Sequence, residues 1–119
     1  MEMSSERDGD VVMISLTGDF VARTVGQFKA LNADYTEKNI LYLVLDLSNV
    51  AFMDSSGLGE CIILHKWFQA RGGLVVIAKP SEAVAKIFRV TWADEKLRIA
   101  PTRLAALQYA QQYAAGKAP

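Results

Sequence analysis

Asp54, Ser55, Ser56 and Gly57 make the most reactive-looking run in the chain, an acid and two hydroxyls ahead of a residue with no side chain. A hydrolytic pair would need one of these hydroxyls within hydrogen-bond reach of an imidazole. The single histidine, His65, follows Ser56 by nine residues. On one helix that spacing is about 13 Å along the axis and half a turn around it, so the two side chains cannot share a proton. One histidine and one cysteine, Cys61, cannot supply the three or four nitrogen and sulfur ligands of a zinc site. Gly57-Leu58-Gly59 falls where a strand gives way to a helix, the place of a nucleotide loop. Ile62 replaces the third glycine of the dinucleotide fingerprint, the acid expected about 20 residues on is missing, and so is the Lys-Ser/Thr of a phosphate loop. Close helix–sheet packing accounts better for the glycines. No catalysis, metal or cofactor is expected.

Two uses remain for Asp54-Ser55-Ser56-Gly57. Asp and Ser cap the free N–H groups at the start of a helix. The same position tolerates a phosphoserine, because unpaired donors and the positive end of the helix dipole face an anion there. The residues alone leave both uses open.

The surrounding chain has 119 residues, with 13 Lys+Arg against 13 Asp+Glu. That length suits one domain over residues 1–119 with an ordinary core. A net charge of zero argues against direct nucleic-acid binding. A lone cysteine forms no internal disulfide and fits a reducing compartment. The acidic start MEMSSERDGD has no signal-peptide core, and the longest apolar run, 40–45, is far short of a membrane helix of about 20 residues. A cytoplasmic protein without direct membrane contact is the expectation.

The elements follow from periodicity. Val12, Ile14 and Leu16 alternate in a strand over 11–16 that ends at Thr17-Gly18-Asp19. Val25, Phe28, Leu31 and Tyr35 recur at helical spacing from Thr24 to about Lys38. Residues 40–47 are nearly all apolar, as in a strand buried on both faces. A turn at Ser48-Asn49 and a short segment over 50–53 lead to a helix from the Ser56 region to Gly72-Gly73, residues suited to a left-handed cap. Residues 74–78 make a second buried strand, and Ser81 caps a helix whose inner face is Val84, Ile87 and Phe88. Leu97 and Ile99 alternate in a short edge strand. Thr102 caps a last helix with Leu104, Leu107 and alanines as its apolar stripe, and the tail from Ala114 frays. Trp67 and Trp92 read as core or groove residues. The fold class is α/β, with a mixed, mostly parallel sheet of four to five strands covered by about four helices.

The run Leu45-Asp46-Leu47-Ser48-Asn49-Val50-Ala51-Phe52-Met53-Asp54-Ser55-Ser56-Gly57-Leu58-Gly59 resembles the signature of STAS domains, specifically of bacterial anti-sigma factor antagonists: a strand ending D-L-S, then V-x-F-x-D-S-S/T-G-L. The resemblance extends to the strand ending Thr17-Gly18-Asp19, to Gly72-Gly73 with the strand after it, and to Ala83-Val84-Ala85-Lys86-Ile87-Phe88. It implies a STAS-like fold and a switch in transcription regulation. The unphosphorylated antagonist binds an anti-sigma factor that is also its serine kinase, an ATPase of histidine-kinase-like fold, and so frees a sigma factor. Phosphorylation of the second serine of D-S-S-G, here Ser56, ends binding, and a metal-dependent serine phosphatase restores it. Val21 stands where the family usually has a second acid. Glu60, four residues after Ser56 on the same helical face, stands where an apolar residue is commoner and modestly disfavours a phosphate.

The partner surface expected from this resemblance and from the loops at strand ends comprises Asp19, Phe20 and Val21 with Asp54, Ser55, Ser56, Gly57, Leu58 and Glu60. Phe20 is either an exposed aromatic anchor or a residue folded back on the core. Two other functions suit the same fold: a cytoplasmic accessory subunit of a membrane transporter, and a nucleotide- or small-molecule-binding module using the Ser56-Gly57-Leu58-Gly59 loop.

Overall fold

The computed structural model describes residues 1–116, apart from the side chains of residues 35–37. Tyr35 as a stripe residue and residues 117–119 of the tail therefore lie outside the described residues. The chain opens with a hairpin of β1 (Glu2–Asp8) and β2 (Val11–Phe20), paired antiparallel from Glu2↔Thr17 to Asp8↔Val11. Gly9 starts its two-residue loop at φ +60, where a side chain would be strained. β1 was not expected, because six of its seven residues are exposed and only Met3 is half-buried against the core.

Three crossovers follow: α1 (Val25–Glu37) to β3 (Tyr42–Met53), α2 (Ser55–Ala70) to β4 (Leu74–Ala78), and α3 (Glu82–Val90) to β5 (Arg98–Ala100). The five-stranded sheet has the order β1-β2-β3-β4-β5, parallel from β2 to β5. The mixed, mostly parallel α/β sheet expected from the sequence is the one observed. Each crossover steps to the next strand in the same direction, so right-handed connections put α1, α2 and α3 on one face. There Val12, Ile14, Leu16, Leu43, Leu45 and Ile77 pack against Phe28, Phe68 and Phe88. Burying each phenylalanine contributes roughly 1.5–3 kcal/mol. The last helix, α4 (Arg103–Ala114), lies alone on the other face. It buries Ala106 and Ala110 against Val11, Met13, Val44 and Val76. Leu104 points away at 63% exposure, so the stripe runs through the small alanines rather than Leu104.

Caps explain the helix limits. Asp54, Ser81 and Thr102 accept backbone N–H bonds at the starts of α2, α3 and α4. α2 ends with Gly73 N–H bonded to Phe68 O and Gly72 N–H to Gln69 O, with Gly72 at φ +77. That is the paired-bond cap expected of Gly72-Gly73.

Two strands are longer than their periodicity indicates. β2 runs through Thr17-Gly18-Asp19 to Phe20, and β3 begins at Tyr42 and continues through Ser48-Asn49 without a turn. The reason is a bulge: the register jumps from Ser15↔Asp46 to Thr17↔Asn49. Asp46 Oδ1 accepts the Ser48 amide at 2.9 Å and its hydroxyl at 2.7 Å, holding the bulge within the strand. Arg103 of α4 reaches the other carboxylate oxygen at 3.1 Å and Ser15 Oγ at 2.6 Å, and it also pairs with Glu6. Trp92, after α3, is 67% exposed with φ +62 and joins neither core nor groove.

Candidate functional site

Parallel pairing brings the C-terminal ends of β2 and β3 together, and the loops that leave them form the site. β2 ends at Phe20. The turn after it is closed by Thr24, whose hydroxyl donates to Asp19 O at 2.7 Å and accepts the Val21 amide at 3.0 Å. β3 ends at Met53, and Asp54 caps α2 with extended backbone. One oxygen of its carboxylate accepts the amides of Ser56 (2.9 Å) and Gly57 (3.2 Å). The other accepts the amide of Ala22 at 3.0 Å. Asp54 is thus the tie between the two loops. The Ala22 amide, more than those of Gly57 and Ser56, holds its carboxyl below the usual range against a smaller opposing effect of desolvation.

Ser55 is exposed and Ser56 half-buried, at the first two positions of α2. Neither hydroxyl has a hydrogen-bond partner among the described residues, so both are open to a modifying enzyme or a partner. Gly57 is buried because the carbonyl of Phe20 lies across it. A Cβ there would stand 2.1 Å from that oxygen and 3.0 Å from Met53 Cγ. Here glycine serves close approach between helix and strand. Leu58 is half-buried against the core.

Two expectations about this surface are corrected. Phe20 is not an exposed anchor. It is fully buried, with its ring edge-on to Phe28 at 5.4 Å between centroids, because β2 continues through it and its inward position faces α1. Glu60 does not share an exposed face with Ser56. It is buried and turns toward α1, where Lys29 Nζ lies 3.6 Å away. Asp19 and Val21 are half-buried beside the site.

One surface residue escaped the sequence reading. Phe52, opposite Asp19 in register, is 54% exposed. A second register shift, between Gly18 and Asp19, breaks the alternation there, so Ala51 and Phe52 both face out between buried Val50 and Met53. Simple period-two counting does not find such a residue.

Elsewhere the reactive side chains are quiet. Burial and the neighbouring charge of Glu60 push the Cys61 thiol up to about 12, so it stays protonated. Burial, with Arg98 second, lowers the pKa of His65. Among the described residues no three His, Cys, Asp or Glu side chains gather as a metal site, and no helix is long and apolar enough to cross a membrane.

Three comparisons relate the chain to known proteins. The family model of the STAS domain matches residues 2–106. The anti-sigma-B factor antagonist of Listeria monocytogenes is 30% identical over 94 residues, which are 79% of this chain and 82% of that protein. Among solved structures, an anti-sigma factor antagonist from Mycobacterium paratuberculosis matches with TM-score 0.80 at 21% identity, over 92% of this chain and 93% of the other. SpoIIAA, the Bacillus cell fate determinant, in its phosphorylated form matches with TM-score 0.70 at 22% identity, over 90% and 97%. The two structural likenesses establish the shared fold.

Proposed function

The chain belongs to the STAS domain family, and from that premise we propose that it is an anti-sigma factor antagonist controlled by phosphorylation of Ser56. The unmodified protein binds an anti-sigma factor through the Val21–Ala22 loop, the Ser55–Ser56 start of α2 and the exposed ring of Phe52. The anti-sigma factor is also the serine kinase, of histidine-kinase-like ATPase fold, and a metal-dependent serine phosphatase reverses the modification. The Listeria relative, named for antagonism of an anti-sigma factor, supports the role.

The observation that carries the switch is the unpartnered, half-exposed hydroxyl of Ser56 on a helix start already capped by Asp54. A phosphate there adds about −1.5 to −2 charges at neutral pH. Within its own fold the charge faces the helix N-terminus, which favours an anion by roughly 0.3–1 kcal/mol, while Asp54 opposes it. The core is untouched, so the domain stays folded. At a partner surface fitted to a neutral hydroxyl, the same charge must be desolvated or must meet an acid, at a cost of several kcal/mol. Since about 1.4 kcal/mol is tenfold in affinity, binding is lost.

The test is affinity for the cognate anti-sigma factor, with mass spectrometry after incubation with that kinase. Ser56→Ala should bind constitutively, and Ser56→Asp should bind worse with an unchanged melting curve. Phosphate found on Ser55, or wild-type binding by Ser56→Asp, would remove Ser56 from the switch.

A further inference from the structure

β4 stops short of the site. Its pairing with β3 ends at Asp46↔Ala78, so residues 47–53 of β3 continue without a strand on that side. They carry the exposed ring of Phe52 and lead into Asp54, the tie between the two loops. On their other side they pair with β2 across two register shifts. A strand end held from one side has fewer hydrogen bonds to break and opens more easily than the middle of a sheet.

Ser81 stands where the next strand would. Its amide donates to Leu47 O at 3.2 Å, and its hydroxyl donates to Val50 O at 2.6 Å. Val50 is buried, and a buried carbonyl that loses a donor is destabilising. The same hydroxyl oxygen accepts the Val84 amide at 3.3 Å as the N-cap of α3. A hydroxyl donates once and still accepts, so one side chain serves both bonds. The two roles make different demands. An aspartate would cap α3 as well, but only a donor can hold the Val50 carbonyl. We infer that Ser81 is a positioning residue of the candidate partner surface: it fixes the end of β3, and through it Phe52 and Asp54, from the side that β4 leaves open. This rests on the partner surface proposed above.

Substitutions at Ser81 separate the cap from the strand tie. Ser81→Asp keeps an acceptor for the Val84 amide and adds an acid at the start of α3, but its ionised carboxylate cannot donate to Val50 O. Ser81→Ala loses both bonds, and Ser81→Thr keeps both. Amide hydrogen exchange, followed by NMR on the folded protein, reads the tie directly. In Ser81→Asp the protected amides of residues 50–54 should exchange about tenfold faster, as loss of one hydrogen bond to a buried group implies, while those of residues 85–90 in α3 stay unchanged. In Ser81→Ala both sets should speed up. Affinity for the cognate anti-sigma factor should fall about fivefold in Ser81→Asp and Ser81→Ala alike, because binding must then order the end of β3. Ser81→Thr should keep wild-type exchange and affinity. Wild-type exchange at residues 50–54 in Ser81→Asp overturns the inference, as does wild-type affinity in Ser81→Ala. A loss of affinity confined to Ser81→Asp is repulsion of the partner by the new charge and also overturns it, and so does a Ser81→Thr protein that binds no better than Ser81→Ala. If the wild-type protein itself binds no anti-sigma factor, the proposed function fails, and the exchange pattern alone still decides whether Ser81 holds β3.

Discussion

Gly57→Ala and Gly59→Ala add the same methyl group two residues apart in one helix, and the structure assigns them opposite effects. At Gly59 nothing lies within 4 Å of the new Cβ. Alanine there gains helix propensity, about 0.5–1 kcal/mol. At Gly57 the Cβ meets the Phe20 carbonyl at 2.1 Å. The obstacle is backbone inside the β2–β3 ladder, and it cannot swing aside as a side-chain end would. Overpacking typically costs about 1–3 kcal/mol. A rigid neighbour puts this case at the upper end, so after the propensity gain the net loss is about 2 kcal/mol. The two variants should therefore differ by about 3 kcal/mol. For a chain of this size about 1 kcal/mol moves the melting temperature by roughly 4 °C, so they should melt about 12 °C apart on either side of wild type. Thermal and urea melts of the three proteins decide the matter. Gly57→Ala melting within about 2 °C of Gly59→Ala would refute the claim that Gly57 exists for close approach to β2.

The burial contrast between two phenylalanines gives a second expectation. Phe20→Ala should cost about 3–5 kcal/mol of stability, as deletion of a fully buried ring does, whereas Phe52→Ala should stay within about 0.5 kcal/mol in a urea melt. On the proposed function, Phe52→Ala should still weaken binding of the anti-sigma factor more than fivefold (about 1 kcal/mol), as loss of an exposed aromatic anchor does; wild-type affinity would remove it from the proposed surface. Asp54 sets a pH dependence. Its folded pKa lies below the unfolded value, so its contribution is fully present above about pH 4 and is lost as pH falls through the folded value. Asp54→Asn, which cannot accept from both loops, should lower the urea midpoint at pH 7, and the difference from wild type should shrink toward pH 2. A difference independent of pH would show that the carboxylate charge plays no part.

Much of this arrangement is legible in the sequence, and the exceptions have physical causes. The caps at Ser81, Thr102 and Gly72-Gly73, the central strand and the order of crossovers follow from residue types whose preferences are local. The D-S-S-G run stands out through the resemblance of residues 45–59 to the STAS signature. What stayed hidden depends on pairing. β1 has almost no apolar period, since one face meets solvent and its hydrogen bonds come from β2. Ser48-Asn49 reads as a turn until Asp46 and the neighbouring strand convert it to a bulge. That conversion puts Val50 on the buried side, and the second register shift, between Gly18 and Asp19, then brings Phe52 to the surface. Phe20 looks like a loop residue only if β2 is stopped at Gly18-Asp19. Glu60 was assigned to the Ser56 face by helical spacing, which says nothing of α1 closing over it.

The two margins of the sheet are blunted in different ways, with a consequence for self-association. An exposed strand edge is a template for another chain. β1 forms one margin and carries Glu2, Glu6, Arg7 and Asp8 among its seven residues. β5 forms the other and has three residues, Arg98 among them. Charge on one side and brevity on the other make sheet-to-sheet stacking of copies unfavourable, although the chain as a whole has no net charge to keep its copies apart. Resistance to aggregation therefore rests on where a few charges sit, and replacing the acids of β1 with valine would leave the fold's interior unchanged while opening a route to fibrous assembly.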